Sequence, residues 1–483
     1  MTRILMVGMA PLPFEKERKI YGPGLRTWQL TKALLEEGHE VLLICYGIPS
    51  AYEKGVLSRE VESPAKELRY LVLNHEKYED GRYLAGLARQ FSPDCMVAVT
   101  LYPCYVAARL ELDEPLWADL FGHVLGEAQA RASVYKDDSL LFHYWNQEMR
   151  IIDRADVFSC VSQRQVYATI GELGLVGRLN RHTAGYRFAH CIPISIPTEK
   201  KEHDLQVLRG RDVSEDHFVI LWSGGYNTWT DVDTLFVALE EAMKVDGQIR
   251  FVSTGGEIPE LDDQTYGHFQ ELIQDSPFSD RFILKGWVKT EEVHNYYYES
   301  DLGINIDRDI YEVELGSKNR IVEWMNYGLP VLSSRVCELT EILEEHGSGF
   351  TYPPGDAEAL KDKILQLAQD REGLRETGAR GTRLAAQLFS VKATTIALRK
   401  WVADPHPAPD RGKERALDQS REEAFRNLEK IVQRQKEMIA ERDARIQALE
   451  MVFHRSPLYR LYGFLNLARK RISRGIGRRR DED

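Results

Sequence analysis

Cysteine is scarce and scattered in this chain: six residues, Cys45, Cys95, Cys104, Cys160, Cys191 and Cys337, none in C-x-x-C spacing. That pattern suggests neither a zinc site nor a disulfide framework. Apolar runs are short as well, and none approaches the ~20 residues that a bilayer-crossing helix needs. The start of the chain lacks the basic and apolar regions of a secretory leader and goes directly into a strand-like run, Arg3-Ile4-Leu5-Met6-Val7. A cytoplasmic protein is expected. Positive net charge is also missing: 75 acidic against 63 basic residues leave −12, which argues against nucleic acid as a partner.

What is present is length and alternation. At 483 residues the chain exceeds one ordinary core and suits two globular domains plus an appendage. Strand-like runs at 3–9, 40–46, 69–73, 95–99, 116–120, 157–161 and 191–196 alternate with helical stretches, and the first helix spans about Gly24 to Glu37. A polar stretch, Pro197–Asp216, then reads as a solvated linker. Runs at 217–222, 250–254, 282–285, 302–306 and 330–333 repeat the pattern, with a helix from about Asp231 and another over 384–402. The expected fold class is α/β, two Rossmann-like doubly wound domains at 1–200 and 201–403 facing a cleft, followed by a helical C-terminal tail.

The tail has two parts. Between 410 and 453, Phe425, Leu428, Val432, Gln435, Ile439, Arg442, Ile446, Leu449 and Phe453 recur at spacings of three and four. This fits a short coiled coil, through which the chain meets a second copy or a partner helix, or a lone amphipathic helix. Between 454 and 483, Leu458, Leu461, Leu465, Ala468 and Ile472 form a stripe, and His454–Arg480 carries nine Lys or Arg and no acid. Such a segment fits peripheral attachment to the inner face of an anionic membrane, or a solvated tail.

The most informative stretch is Gly303–Val331, GINIDRDIYEVELGSKNRIVEWMNYGLPV. Ile304 and Ile306 end a buried strand, Ile321, Val322, Trp324 and Met325 give the apolar face of a helix, and Gly328-Leu329-Pro330 stops that helix. Between strand and helix lie Glu312, Glu314, Ser317, Lys318, Asn319 and Arg320. Acceptors for hydroxyls and donors for phosphates thus converge where a helix N-terminus adds unpaired N–H groups and its positive dipole end. A second anion-binding signal is Ser223-Gly224-Gly225-Tyr226-Asn227-Thr228 after a buried strand, because glycines let the backbone approach a diphosphate.

The Gly303–Val331 stretch resembles the nucleotide-sugar-binding segment of retaining glycosyltransferases with the GT-B fold, family 4 in particular. The resemblance covers about residues 1 to 403 and implies a transferase that moves a sugar from a nucleoside-diphosphate sugar to a glycan or lipid-linked acceptor in cell-surface polysaccharide or glycolipid synthesis. It implies retention of configuration and no cofactor or metal. Glu323 matches the family glutamate that takes the ribose hydroxyls. The usual partner eight residues earlier is replaced by Leu315, so Glu312 or Glu314 stands in, or Ser317, Arg320 and Glu323 follow a related Ser-x-x-basic-x-x-Glu pattern. Lys318 and Arg320 are the expected phosphate cations, because the Gly224–Asn227 loop lacks the basic residues usual in the family. Gly286-Trp287-Val288 resembles the base-recognition segment. In the first domain Gly24 is expected against the transferred sugar, Arg26 either on the phosphate or in solvent, and Asp119 and His123 on the acceptor side.

Asp231-Val232-Asp233 and Asp307-Arg308-Asp309 match the D-x-D metal motif of the other main glycosyltransferase fold. The first pair starts a helix, where aspartate is a favoured cap, so neither is read as a metal site. A GT-B-type nucleotide-sugar epimerase and a non-catalytic scaffold with a degenerate sugar site are the alternatives.

Overall fold

The structure, a computed structural model, describes all residues except 16–19, 53, 197–199, 259–260, 414, 456, 458–460 and 467–483. The chain divides into two compact units, residues 1–413 and 414–483.

The first unit holds two parallel sheets. One is built from β1 (Arg3–Ala10), β2 (Glu40–Gly47), β3 (Arg59–Val61), β4 (Leu68–Leu73), β5 (Cys95–Val99), β6 (Leu116–Asp119), β7 (Val157–Cys160) and β8 (Ala189–Cys191). Their spatial order is β3-β4-β2-β1-β5-β6-β7-β8, with only β3 antiparallel to its neighbour. The other sheet is built from β9 (Phe218–Ser223), β10 (Ile249–Thr254), β11 (Phe282–Leu284), β12 (Leu302–Asn305), β13 (Val331–Ser334) and β14 (Phe350–Tyr352) in the order β11-β10-β9-β12-β13-β14. Strands such as β5 and β9 are buried at every position, as parallel strands covered by helices on both faces must be.

Each sheet reverses its winding beside its first strand, between β1 and β5 in one lobe and between β9 and β12 in the other. Open α/β sheets bind ligands beyond the carboxyl ends of their strands at such points. The loops after β1, β9 and β12 are therefore where a site belongs.

The end of this unit returns to the first lobe. The expected helix over 384–402 is three helices, Arg371–Leu388, Val391–Thr394 and Ile396–Ala403, because the Ser390 hydroxyl accepts from the Ala393 amide and starts a new one. Leu398, Trp401 and Val402 join the core around β1, with Trp401 5.6 Å from Trp117. Asp410 then forms a two-point ion pair with buried Arg178, at 3.0 Å on each arm. The strand expected over 191–196 stops at Cys191.

The linker is not solvated along its length. Val207 and Leu208 are buried, and the Glu299 carboxylate accepts from the backbone N–H groups of Val207, Leu208 and Arg209 at 2.8, 2.6 and 2.8 Å. Burial disfavours that charge, but these N–H groups and His203 outweigh it and hold the Glu299 carboxyl below its ordinary value. Its charges thus bind the linker to the second lobe instead of to water.

In the second unit, residues 416–455 form one helix of 40 residues. The side chains of Phe425 and Phe453 and most of the basic tail lie outside the described residues. No described helix is long and apolar enough to cross a membrane.

Candidate functional site

A cavity of about 330 Å³ opens between the two lobes. Its floor on the second-lobe side is the turn after β9, where Gly224 has φ +95°, and the first turns of the helix Asn319–Tyr327. The first lobe contributes Ile20, Tyr21, Gly22 and Leu25. The lobes approach closely there: a Cβ on Gly22 would lie 3.3 Å from Asn319 Nδ2.

Arg320 defines the electrostatics of this cavity. Its guanidinium carbon lies 3.8 Å from the centre of the Trp222 ring, and its Nη2 donates to the Gly225 carbonyl at 3.1 Å. Burial works against its charge, with Asp307 compensating in part. An aromatic face and one carbonyl leave most of the guanidinium fork available to an anion. Glu323 lies on the same helix, and its Oε2 accepts from Tyr297 Oη at 3.1 Å. Burial pushes the Glu323 carboxyl up. Tyr297 itself lines the cavity, as do Thr254 and Ile258.

A second charged group lies at the seam between lobes. Lys318, the residue preceding the helix, is 8% exposed and sits 3.8 Å from Asp307 Oδ2 and 5.2 Å from the Trp229 ring centre. Glu312, on the short helix Tyr311–Leu315, packs against the first lobe so tightly that a Cβ on Gly126 would lie 3.1 Å from its amide nitrogen. Burial, with Glu127 and Asp307 adding to it, pushes the Glu312 carboxyl up to about 8 against the pull of Lys318. Burial also raises Glu127, which comes from the first lobe and is lowered by Arg131 and Lys318. Glu312 and Asp307 from the second lobe, Glu127 from the first, and the Lys318 ammonium thus share one poorly solvated volume.

Residues 217–370 match the family model described as glycosyl transferases group 1. The matched residues lie within the second lobe. A stretch of 98 residues is 33% identical to the amylovoran biosynthesis glycosyltransferase AmsK of Erwinia amylovora, over 20% of this chain and 24% of that protein. The match therefore spans about a quarter of that relative's length. Among solved structures, sucrose-phosphate synthase from Thermosynechococcus elongatus is similar at a TM-score of 0.61 and 17% identity, covering 83% of this chain and 98% of that one. Anabaena HepE in complex with UDP and glucose is similar at 0.56 and 17%, covering 83% and 100%. These likenesses establish the GT-B fold.

Within the second lobe, Gly224, Gly225, Asn227, Trp287, Val288, Asn319, Arg320 and Glu323 all line the inter-lobe cavity. Trp287 is fixed by its Nε1, which donates to the Glu257 carbonyl at 2.9 Å. Ser317 is partly buried in the loop before the helix. Tyr226 does not reach the cavity. It is fully buried, stacked on Trp222 at 4.8 Å, with its hydroxyl 2.9 Å from Ser253 Oγ. Glu314 lines a different inter-lobe cavity of about 480 Å³, with Arg308, Tyr311 and Ser133, so of the two glutamates it is Glu312 whose carboxyl feels the Lys318 charge.

The first-lobe expectations need correction. Asp119 is fully buried, and its two oxygens accept from Arg26 Nε and Nη2 at 2.9 and 2.7 Å, with Ser159 Oγ at 2.6 Å. Arg26, 1% exposed, faces neither solvent nor the inter-lobe cavity, and also donates to the carbonyls of Ile192 and Pro193. His123 caps the helix Val124–Tyr135: Nδ1 accepts from the Gly126 amide at 3.0 Å and Nε2 lies 3.3 Å from Glu172 Oε1. Both ring nitrogens are thus engaged within the first lobe. Gly24 faces inward, where a Cβ would collide with the Pro11 carbonyl, and the glycine at the cavity is Gly22. The clue to Tyr297 was the aromatic run Tyr296–Tyr298, which by itself reads as core.

Proposed function

We propose that the protein transfers a sugar, with retention of configuration and without a metal ion, from a nucleoside-diphosphate sugar to a glycan or lipid-linked acceptor in surface polysaccharide synthesis. The observation that carries this reading is the pairing of Arg320 and Glu323 on one helix, facing the Gly224-Gly225 turn across a cavity that the first lobe closes. In this reading Glu323 accepts from the ribose hydroxyls, the base lies against Trp287 and Val288, and the diphosphate meets the glycine turn and Arg320 at the helix N-terminus. Lys318, Arg320 and the helix dipole supply the positive charge that a divalent ion supplies elsewhere. Asp231 Oδ1 accepts from the Thr234 amide as a helix cap, and Asp307 is held by Asn305 and Lys318, which leaves both D-x-D runs with structural partners.

The bond from the anomeric carbon to the phosphate oxygen breaks, the acceptor oxygen bonds to that carbon from the same face, and the acceptor proton passes to the departing phosphate. The likeness to AmsK, whose name places it in amylovoran biosynthesis, supports a polysaccharide acceptor. The basic residues of 454–483 support a membrane-borne one.

Incubation with a panel of nucleotide sugars tests the reading. Slow release of nucleoside diphosphate from one donor is expected, because transferases leak sugar to water. No release and no binding of any donor would leave a scaffold. Sedimentation with anionic vesicles tests the tail, using a truncation after Lys413, because Asp410 and Arg411 are pinned to Arg178 and Asp156 of the first lobe. Unchanged vesicle binding by that truncation would remove the membrane role.

A further inference from the structure

The 40-residue helix Ala416–Arg455 carries a face that a lone helix in water does not bury. Leu428, Val432, Ile439, Ile446 and Leu449 are 58%, 43%, 57%, 48% and 57% exposed. They occupy core positions of a heptad frame, with Val432, Ile439 and Ile446 at a and Leu428 and Leu449 at d, while Gln435 and Arg442 hold the two remaining d positions. An exposed apolar stripe of this length, interrupted only at Gln435 and Arg442, marks an interaction surface.

We infer that this helix pairs with the same helix of a second copy, antiparallel, with Val432 opposite Leu449 of the second copy, Gln435 opposite its Ile446 and Ile439 opposite its Arg442. Two features select this arrangement. A parallel, in-register pair would set Arg442 against Arg442 and Gln435 against Gln435 at core positions, burying like charges together. The antiparallel pair instead puts each polar residue opposite an aliphatic one, so the Arg442 stem packs while its guanidinium reaches the edge.

Charge then chooses among antiparallel registers. In the one described, Lys436 at position e meets Asp443 at position e of the second copy, and symmetry makes this pair twice. The register shifted by one heptad sets Lys436 against its own counterpart. The pairing is independent of the transfer reaction, and it is the kind of contact a symmetric two-fold dimer makes.

Light scattering on the full-length protein is expected to give twice the 55.5 kDa chain mass. Lys436→Glu and Asp443→Lys should each weaken the dimer roughly tenfold, and the two together should restore it, since the pair is exposed and its sign is what matters. Spin labels at single cysteines in a Cys191→Ser background then read the register. Labels at Ala440 lie near the two-fold axis and should be close. Labels at Lys430 should be separated by an additional axial displacement of about 30 Å, from ~21 residues at 1.5 Å each. A monomer would overturn the pairing. Equal separations at the two sites would overturn the antiparallel register, and failure of the double charge reversal to restore affinity would overturn the Lys436–Asp443 match.

Discussion

The guanidinium of Arg320 rests 3.8 Å from the centre of the Trp222 ring, and Trp222 in turn stacks on Tyr226 at 4.8 Å. The cation is therefore held in place by a buried aromatic column before any anion arrives. Arg320→Ala should weaken binding of the cognate nucleoside diphosphate by at least about tenfold, the loss of one or two charge-assisted hydrogen bonds. Arg320→Lys should recover little, because an ammonium neither stacks on Trp222 nor offers a planar fork. Titration calorimetry reads both. Full affinity in the lysine variant would show that a point charge suffices.

Glu312 is expected to hold a proton at neutral pH, because burial beside Glu127 and Asp307 raises its carboxyl. Its folded value of about 8 lies above the ordinary 4.5, so the folded chain keeps a proton that the unfolded chain releases between those values. Stability should fall as pH rises from about 4.5 to about 8 and level off beyond. Activity should decline above pH 8 as the carboxyl ionises beside Glu127. Glu312→Gln, neutral throughout, should remain active and lose that decline. A pH–rate profile unchanged by Glu312→Gln would sink this assignment.

Glu323 should set the preference for ribose. A carboxylate aimed by Tyr297 at 3.1 Å discriminates strongly against a donor lacking a hydroxyl, because its buried oxygen is then left unpaired. The wild-type protein is expected to bind the ribonucleoside diphosphate well above its 2′-deoxy analogue. Glu323→Ala should bind both weakly and nearly equally. Tyr297→Phe should raise KM for the donor with little change in kcat. Competition assays with the two nucleotides decide the matter.

Asp119 should prove structural. Its two-point pair with Arg26 is fully buried, and removing one partner leaves an uncompensated buried charge at a cost of about 3–5 kcal/mol. Asp119→Ala should lower Tm by several degrees or abolish soluble expression. A stable Asp119→Ala protein with normal Tm and lost activity would return Asp119 to the acceptor site.

The second lobe was the more legible. Gly225, Asn319, Arg320 and Glu323 lie in two contiguous stretches that each follow a buried strand, so local pattern alone delivers them to one cavity. Asp119 is not legible, because a carboxylate at a strand end looks the same in sequence whether it faces a cleft or a partner, and Arg26 is 93 residues away. Tyr226 differs for a related reason: a glycine turn suggests amides open to an anion, but the Tyr226 amide donates to the Gly256 carbonyl at 3.1 Å and its ring folds back onto Trp222. Two strands escaped notice for opposite causes. β3, Arg-Glu-Val, is an exposed antiparallel edge with little apolar signal, and β14 is three residues between Gly349 and Pro353.

The returning segment decides the order in which the molecule can be made. Leu398, Trp401 and Val402 complete a core begun by Ile4 and Met6, and Thr2 Oγ1 donates to the Val402 carbonyl across 400 positions. A nascent chain therefore leaves the ribosome with its amino-terminal lobe unsealed, and that lobe closes only after the following one has emerged. Translation order and completion order run opposite to each other.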